Sequence, residues 1–97
     1  MYRLENSNAA KKDIKNLSKD VQKEIIKQLE IIEDYPFNGE KLKGNLKGLY
    51  KYVFSFKGTE YRIAYEIFVE QKIILILMAG SRENFYKRLK YSKFSLA

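Results

Sequence analysis

An α+β fold, with an N-terminal helical hairpin on a small twisted antiparallel sheet and a short C-terminal helix, is the class this sequence predicts. Apolar residues recur every three or four positions up to Pro36, and the period then drops to two from Leu49 onward. No internal repeat and no linker rich in Gly, Ser or Pro interrupts the chain, so residues 1–97 are expected to form one domain.

Taken in order, "YRLEN" opens the chain as a short strand. "AAKKDIKNL" supplies a first helix with Ala9, Ile14 and Leu17 towards the core. Ser18 is a good N-cap for the second helix, and Asp20 suits its positive first turn. Within "KDVQKEIIKQLEIIEDY", Val21, Ile25, Leu29 and Ile32 form one apolar stripe, and the helix should stop just before Pro36. Two antiparallel helices are expected.

Beyond "PFNGEKLKGNLKG", "LYKYVFSFKG" alternates Tyr50, Tyr52, Phe54 and Phe56 with Lys51, Val53, Ser55 and Lys57. A turn at Gly58 and Thr59 leads into "EYRIAYEI", which places Tyr61, Ile63, Tyr65 and Ile67 opposite in phase to Arg62, Ala64 and Glu66. The two strands should pair as a hairpin. After a polar turn around Glu70 and Gln71, "KIILILMA" is apolar throughout, as a covered or central strand is, and Gly80 should end it. "SRENFYKRLKYSKF" reads as the C-terminal helix, capped at or near Ser81. Gly44 and Gly48 read as turn residues, since a strand follows them where a phosphate-binding loop would want a helix N-terminus.

Composition narrows the chemistry. The 97 residues contain no cysteine and no histidine, which removes disulfides, thiol nucleophiles, thiolate zinc sites and the commonest general base near neutral pH. No metal site and no cofactor is expected. No apolar run approaches the length of a membrane span, and the N-terminus has no secretion signal, so the chain is expected to be cytoplasmic and off the membrane. The net charge of +7 is uneven: the residues up to Phe37 balance to zero, and everything beyond them carries the whole excess. Such a concentrated positive field favours a polyanionic partner, a nucleic acid or an acidic protein segment.

The alternation puts Lys51, Val53, Ser55, Arg62, Ala64 and Glu66 on the sheet face away from the helices. Arg82 and Tyr86, four apart on one side of the C-terminal helix, would approach this face from the edge. Read singly, each residue has a plain structural explanation. Arg62 suits an ion pair with Glu60 or Glu66, Lys51 suits an edge strand, Tyr86 suits a core, and Glu40 is ordinary in a polar loop.

Together, "LKGNLKGLYKYVF", "EYRIAYEI" and "GSRENFYKRL" resemble, in order and spacing, the RelE/ParE superfamily of toxins from bacterial and archaeal toxin–antitoxin modules. The resemblance spans nearly the whole chain and implies a RelE-like microbial ribonuclease-type fold. It implies a cognate acidic, partly disordered antitoxin that wraps the toxin, with operator DNA met only through that complex. For the RelE-like branch it implies a metal-independent endoribonuclease that cleaves mRNA in the ribosomal A site. Carried over by position, Lys51, Arg62, Arg82 and Tyr86 match the family's catalytic pattern, and Glu40 falls where a subgroup has a glutamate proposed as general base. The RNA-binding set implied is Lys43, Lys47, Lys57, Lys87, Arg88 and Lys90. Val53 stands where RelE-type enzymes have a second basic residue, and Ser81 where many relatives have a histidine.

The chemistry can be stated independently. Metal-free RNA cleavage needs a base for the 2′-hydroxyl proton, cations for the charge building on phosphorus, and an acid for the departing 5′-oxygen. Lysine and arginine meet the second need. For the first, Lys51 would have to lose its proton through crowding by Arg62 and Arg82, or Glu40 would have to reach the site. Tyr86 suits the acid or a stacking surface. A ParE-like inhibitor of DNA gyrase without chemistry of its own, or a decayed member that only binds its antitoxin, are the alternatives.

Overall fold

The computed structural model describes residues 1–81, and in them two helices pack on one face of a five-stranded mixed sheet with strand order β1-β5-β4-β3-β2. Strand β1 (Arg3–Asn6) leads into α1 (Asn8–Lys15) and then α2 (Lys19–Asp34). A 3-10 turn (Pro36–Asn38) precedes the two-residue strand β2 (Glu40–Lys41). A second 3-10 turn (Gly44–Leu46) leads to β3 (Leu49–Phe56), β4 (Thr59–Phe68) and β5 (Ile73–Ser81).

The second helix forms as its stripe dictates. Val21, Ile25, Leu29 and Ile32 are all buried, at roughly 1.5–3 kcal/mol of transfer free energy for each fully buried side chain. Asp20 takes part in the cap: its carboxylate accepts from the Val21 N–H at 2.9 Å and from the Ser18 hydroxyl at 2.6 Å. The Tyr52 hydroxyl on β3 donates to Gln28 at 2.6 Å, tying helix to sheet. In α1 the buried alanine is Ala10 and not Ala9. Ala10 lies four residues before Ile14 and seven before Leu17, so it shares their face, whereas Ala9 points to solvent.

Three further expectations are corrected. The sheet is mixed, because β1 pairs in parallel with β5, Arg3 opposite Ile73 through Asn6 opposite Ile76. The hairpin turn consists of Lys57 and Gly58, both at positive φ (50° and 80°), while Thr59 already belongs to β4. Two consecutive positive φ values match the twist of the flanking strands, which a two-residue hairpin requires. Gly80 does not end β5, which runs on to Ser81, and the expected C-terminal helix lies outside the described residues.

A bulge in β5 sets the far end of the sheet. Ala64 pairs with Met78 and Tyr65 with Ile76, so Leu77 is the extra residue. Leu77 and the adjacent Met78 therefore share the face away from the helices, while Ile74, Ile76 and Ala79 face them. The first helix serves the disturbed backbone: the Ser7 hydroxyl, which caps α1 by accepting from Ala10 N–H, also donates to the Leu77 carbonyl at 3.3 Å. Asp13 accepts from the Ala79 N–H at 3.2 Å. The second face has its own small core of Leu42, Leu49, Ala64, Leu77 and Met78, so it is partly covered rather than open.

Candidate functional site

The phase predicted for the central hairpin holds. Tyr50, Phe54, Ile63 and Tyr65 are buried against the helices, which leaves Lys51, Val53, Ser55, Arg62 and Ala64 on the second face. Lys51 lies opposite Ala64 and Val53 opposite Arg62, so the two cations are diagonal neighbours across β3 and β4. On the other flank of Arg62 its ladder partner is Gly80, which brings no side chain.

Each cation is set beside a carboxylate. Glu40 is the ladder partner of Lys51, and its Oε2 lies 3.5 Å from Lys51 Nζ. The lysine side chain is only 11% exposed while that of Glu40 is 68% exposed, so the pair reaches from the sheet surface to solvent. Arg62, 17% exposed, donates from Nε at 3.0 Å and from Nη2 at 2.7 Å to Glu60 Oε2, the ion pair its strand context suggested. The two hydrogen bonds to Glu60 hold the Arg62 guanidinium in place on the sheet, while Lys51 and Glu40 form a looser ion pair.

Glu40 owes its position to a short, irregular segment. Tyr65, fully buried on β4, donates from its hydroxyl to the Pro36 carbonyl at 2.7 Å and lies directly against Gly39. Burial is the main reason its phenol is pushed up to about 12. Its ring stacks on Tyr50, with centroids 5.4 Å apart. A Cβ at Gly39 would fall inside the Tyr65 hydroxyl, 3.0 Å from its Cζ and 3.2 Å from the Lys51 carbonyl. Glycine is therefore required at residue 39 by close approach of chain to chain. Glu40 was singled out by its position in the family resemblance alone, and the Tyr65–Gly39 packing behind it left no signal in the sequence.

Of the RNA-binding residues expected from the sequence, Lys43 and Lys47 line a groove of about 550 Å³ with Lys41. Phe37, Leu42, Leu49, Tyr50, Ile67 and Val69 give it an apolar wall, and Gly44 and Gly48 beside it hold turn conformations at positive φ. Lys57 is not in this group: it sits at the hairpin tip and pairs with Asp20 at 2.7 Å, holding the Asp20 carboxyl well below the usual range with help from Ser18. Arg82, Tyr86, Lys87, Arg88 and Lys90 lie outside the described residues. Among the described residues no group of acidic side chains is placed to hold a metal ion, and no helix is long and apolar enough to cross a membrane.

In sequence, residues 4–90 match the family described as ParE-like toxin of type II bacterial toxin–antitoxin system. No curated protein matches the chain. Among solved structures, it is similar to the intact E. coli RelBE toxin–antitoxin complex, with 25% identity, a TM-score of 0.71, and 86% of this chain and 99% of the other covered. The toxin–antitoxin complex RelBE2 from Mycobacterium tuberculosis gives 23% identity and a TM-score of 0.72 over 84% and 98% of the two chains. The isolated E. coli RelE toxin gives 22% and 0.69 over 94% and 98%.

Proposed function

The chain belongs to the RelE/ParE family of toxins from type II bacterial toxin–antitoxin systems, and from that premise we propose that it is a ribosome-dependent mRNA endoribonuclease. The observation that carries the reading is the diagonal placement of Lys51 and Arg62 on one sheet face with the Glu40 carboxylate 3.5 Å from Lys51. A phosphate laid over this face meets two cations, and the 2′-hydroxyl next to it meets a carboxylate.

In the proposed reaction Glu40 takes the proton of the 2′-hydroxyl, whose oxygen attacks the adjacent phosphorus. Lys51 and Arg62, joined by Arg82, offset the charge growing on the non-bridging oxygens. The 5′-oxygen leaves with a proton supplied by Tyr86, giving a 2′,3′-cyclic phosphate and a 5′-hydroxyl end. Glu40 is preferred to Lys51 as base because a carboxylate accepts a proton as it stands, whereas a lysine ammonium must first lose one. The ribosome contributes alignment, which effective molarities show to be a large share of such barriers.

The partner read here is an acidic antitoxin segment seated in the groove beside the site. Its apolar wall takes apolar anchors, and Lys41, Lys43 and Lys47 match acidic flanks. Two of the similar structures are toxin–antitoxin complexes, which supports such a partner.

The test is a toeprint on programmed ribosomes carrying a defined mRNA, with wild type beside Lys51→Ala, Arg62→Ala and Arg82→Ala. Discrete A-site cuts that fade in all three variants are expected. A second reading, inhibition of DNA gyrase by binding alone, draws on the ParE-like character of the matching family. Intact mRNA in every lane together with blocked supercoiling would establish it in place of the first.

A further inference from the structure

We propose that Tyr65, a core residue on the opposite side of the sheet, is the positioning residue for Glu40. The inference rests on the reading of Glu40 as proton acceptor.

Little else among the described residues fixes Glu40. The second helix ends at Asp34, and the chain then runs through Tyr35 at φ −135° and ψ 61°, a three-residue 3-10 turn, and a strand only two residues long. Among the described residues its strand pairing consists of two ladder pairs, Glu40 with Lys51 and Lys41 with Tyr50, followed by the Leu42 N–H on the Leu49 carbonyl. A segment so short gains little cooperativity from its ladder, and a side chain 68% exposed gains little from packing.

The Tyr65 hydroxyl supplies what the ladder does not. It donates to the Pro36 carbonyl at one end of the segment and packs against Gly39, the residue just before Glu40, at the other. Gly39 in turn comes so close that a methyl group there would overlap that oxygen and press on the Lys51 carbonyl. Hydroxyl and glycine thus fit as a pair, and together they set the distance between the backbone of Glu40 and that of Lys51. The ring is itself immobilised by stacking on Tyr50, which neighbours Lys51 in the chain. Both partners of the Glu40–Lys51 pair are consequently referred to the same aromatic stack.

Tyr65→Phe keeps the ring and removes only the clamp. The structure of this variant should show Glu40 Oε2 well beyond its 3.5 Å from Lys51 Nζ with the sheet otherwise unchanged. On programmed ribosomes its single-turnover cleavage rate should fall about 100-fold, the cost of roughly 1 Å of misplacement, with mRNA-bound ribosome affinity unchanged. Adding Tyr65→Phe to Glu40→Gln should cost nothing more, since the first change acts only through the second residue. Gly39→Ala approaches the clamp from the other side: it should be harmful alone and less harmful when combined with Tyr65→Phe, where the oxygen it collides with is gone. An undisplaced Glu40 in the Tyr65→Phe structure, or additive losses in the Glu40→Gln double variant, would overturn the inference. Wild-type protein that leaves mRNA intact would remove the nuclease reading instead, and the displacement in the variant structure would still decide whether Tyr65 positions Glu40.

Discussion

The clamp hydroxyl gives the protein an alkaline signature whose size follows from its burial. Tyr65 titrates near 10 when the chain is unfolded and near 12 when folded, mainly because burial disfavours the phenolate. A raised acid pKa means that the folded state keeps a proton the unfolded state has begun to lose. Its contribution is therefore complete below pH 10 and is lost as the pH climbs from 10 to 12. Two pKa units correspond to about 2.7 kcal/mol in full, of which about 2 kcal/mol is lost by pH 11.5. Urea unfolding of wild type and Tyr65→Phe between pH 8.5 and about 11.5 isolates this group together with its coupling to Tyr50 and Tyr52, because the two proteins differ in that hydroxyl alone. At the lower pH the variant should be less stable by about 1–3 kcal/mol, the cost of leaving the buried Pro36 carbonyl without its donor. The gap should then close by about 2 kcal/mol as the pH rises. A gap constant across the range would mean that the hydroxyl is not sequestered as described.

Three other outcomes are expected. Ile25→Ala, at a fully buried position of the helix stripe, should lower unfolding stability by about 2–5 kcal/mol in denaturant titration without altering the helix boundaries. Lys57→Ala should bring acid unfolding to higher pH, because the depressed Asp20 carboxyl stabilises the fold above its usual range and that contribution disappears as pH falls through it; a pH-jump fluorescence midpoint checks this. Glu60→Gln should strengthen binding of single-stranded RNA and steepen its salt dependence by about 0.7 in the logarithmic slope, one more phosphate contact, when filter binding is followed from 50 to about 200 mM salt.

What the sequence shows of this fold depends on how much each pattern constrains. The α2 stripe and the alternation of β3 and β4 are legible because period 3.6 and period 2 each leave only one face for Arg62, Lys51 and their apolar neighbours. The bulge at Leu77 is not legible, since in "IILILMAGS" every residue is apolar or small and no polar position marks where the phase changes. "YRLEN" announces a strand and says nothing of its partner, so its parallel pairing with β5 had to come from the structure. Ala9 against Ala10 was decidable in principle by counting back from Ile14 and Leu17. Glu40 was found through resemblance, and its contact with Lys51 depends on a two-residue strand too short to carry any period. The Tyr65 clamp is a tertiary match of one hydroxyl to one glycine 26 positions away, which no local pattern encodes.

The carboxylates on the second face change what the site does when it is empty. Glu40 and Glu60 are tethered beside Lys51 and Arg62, so any phosphate must compete with an internal anion at high effective concentration. On the nuclease reading, a stray RNA in dilute solution loses that contest, and an mRNA held still by a larger body wins it. The protein would then be selective by being a poor binder, its target chosen by whatever presents the strand.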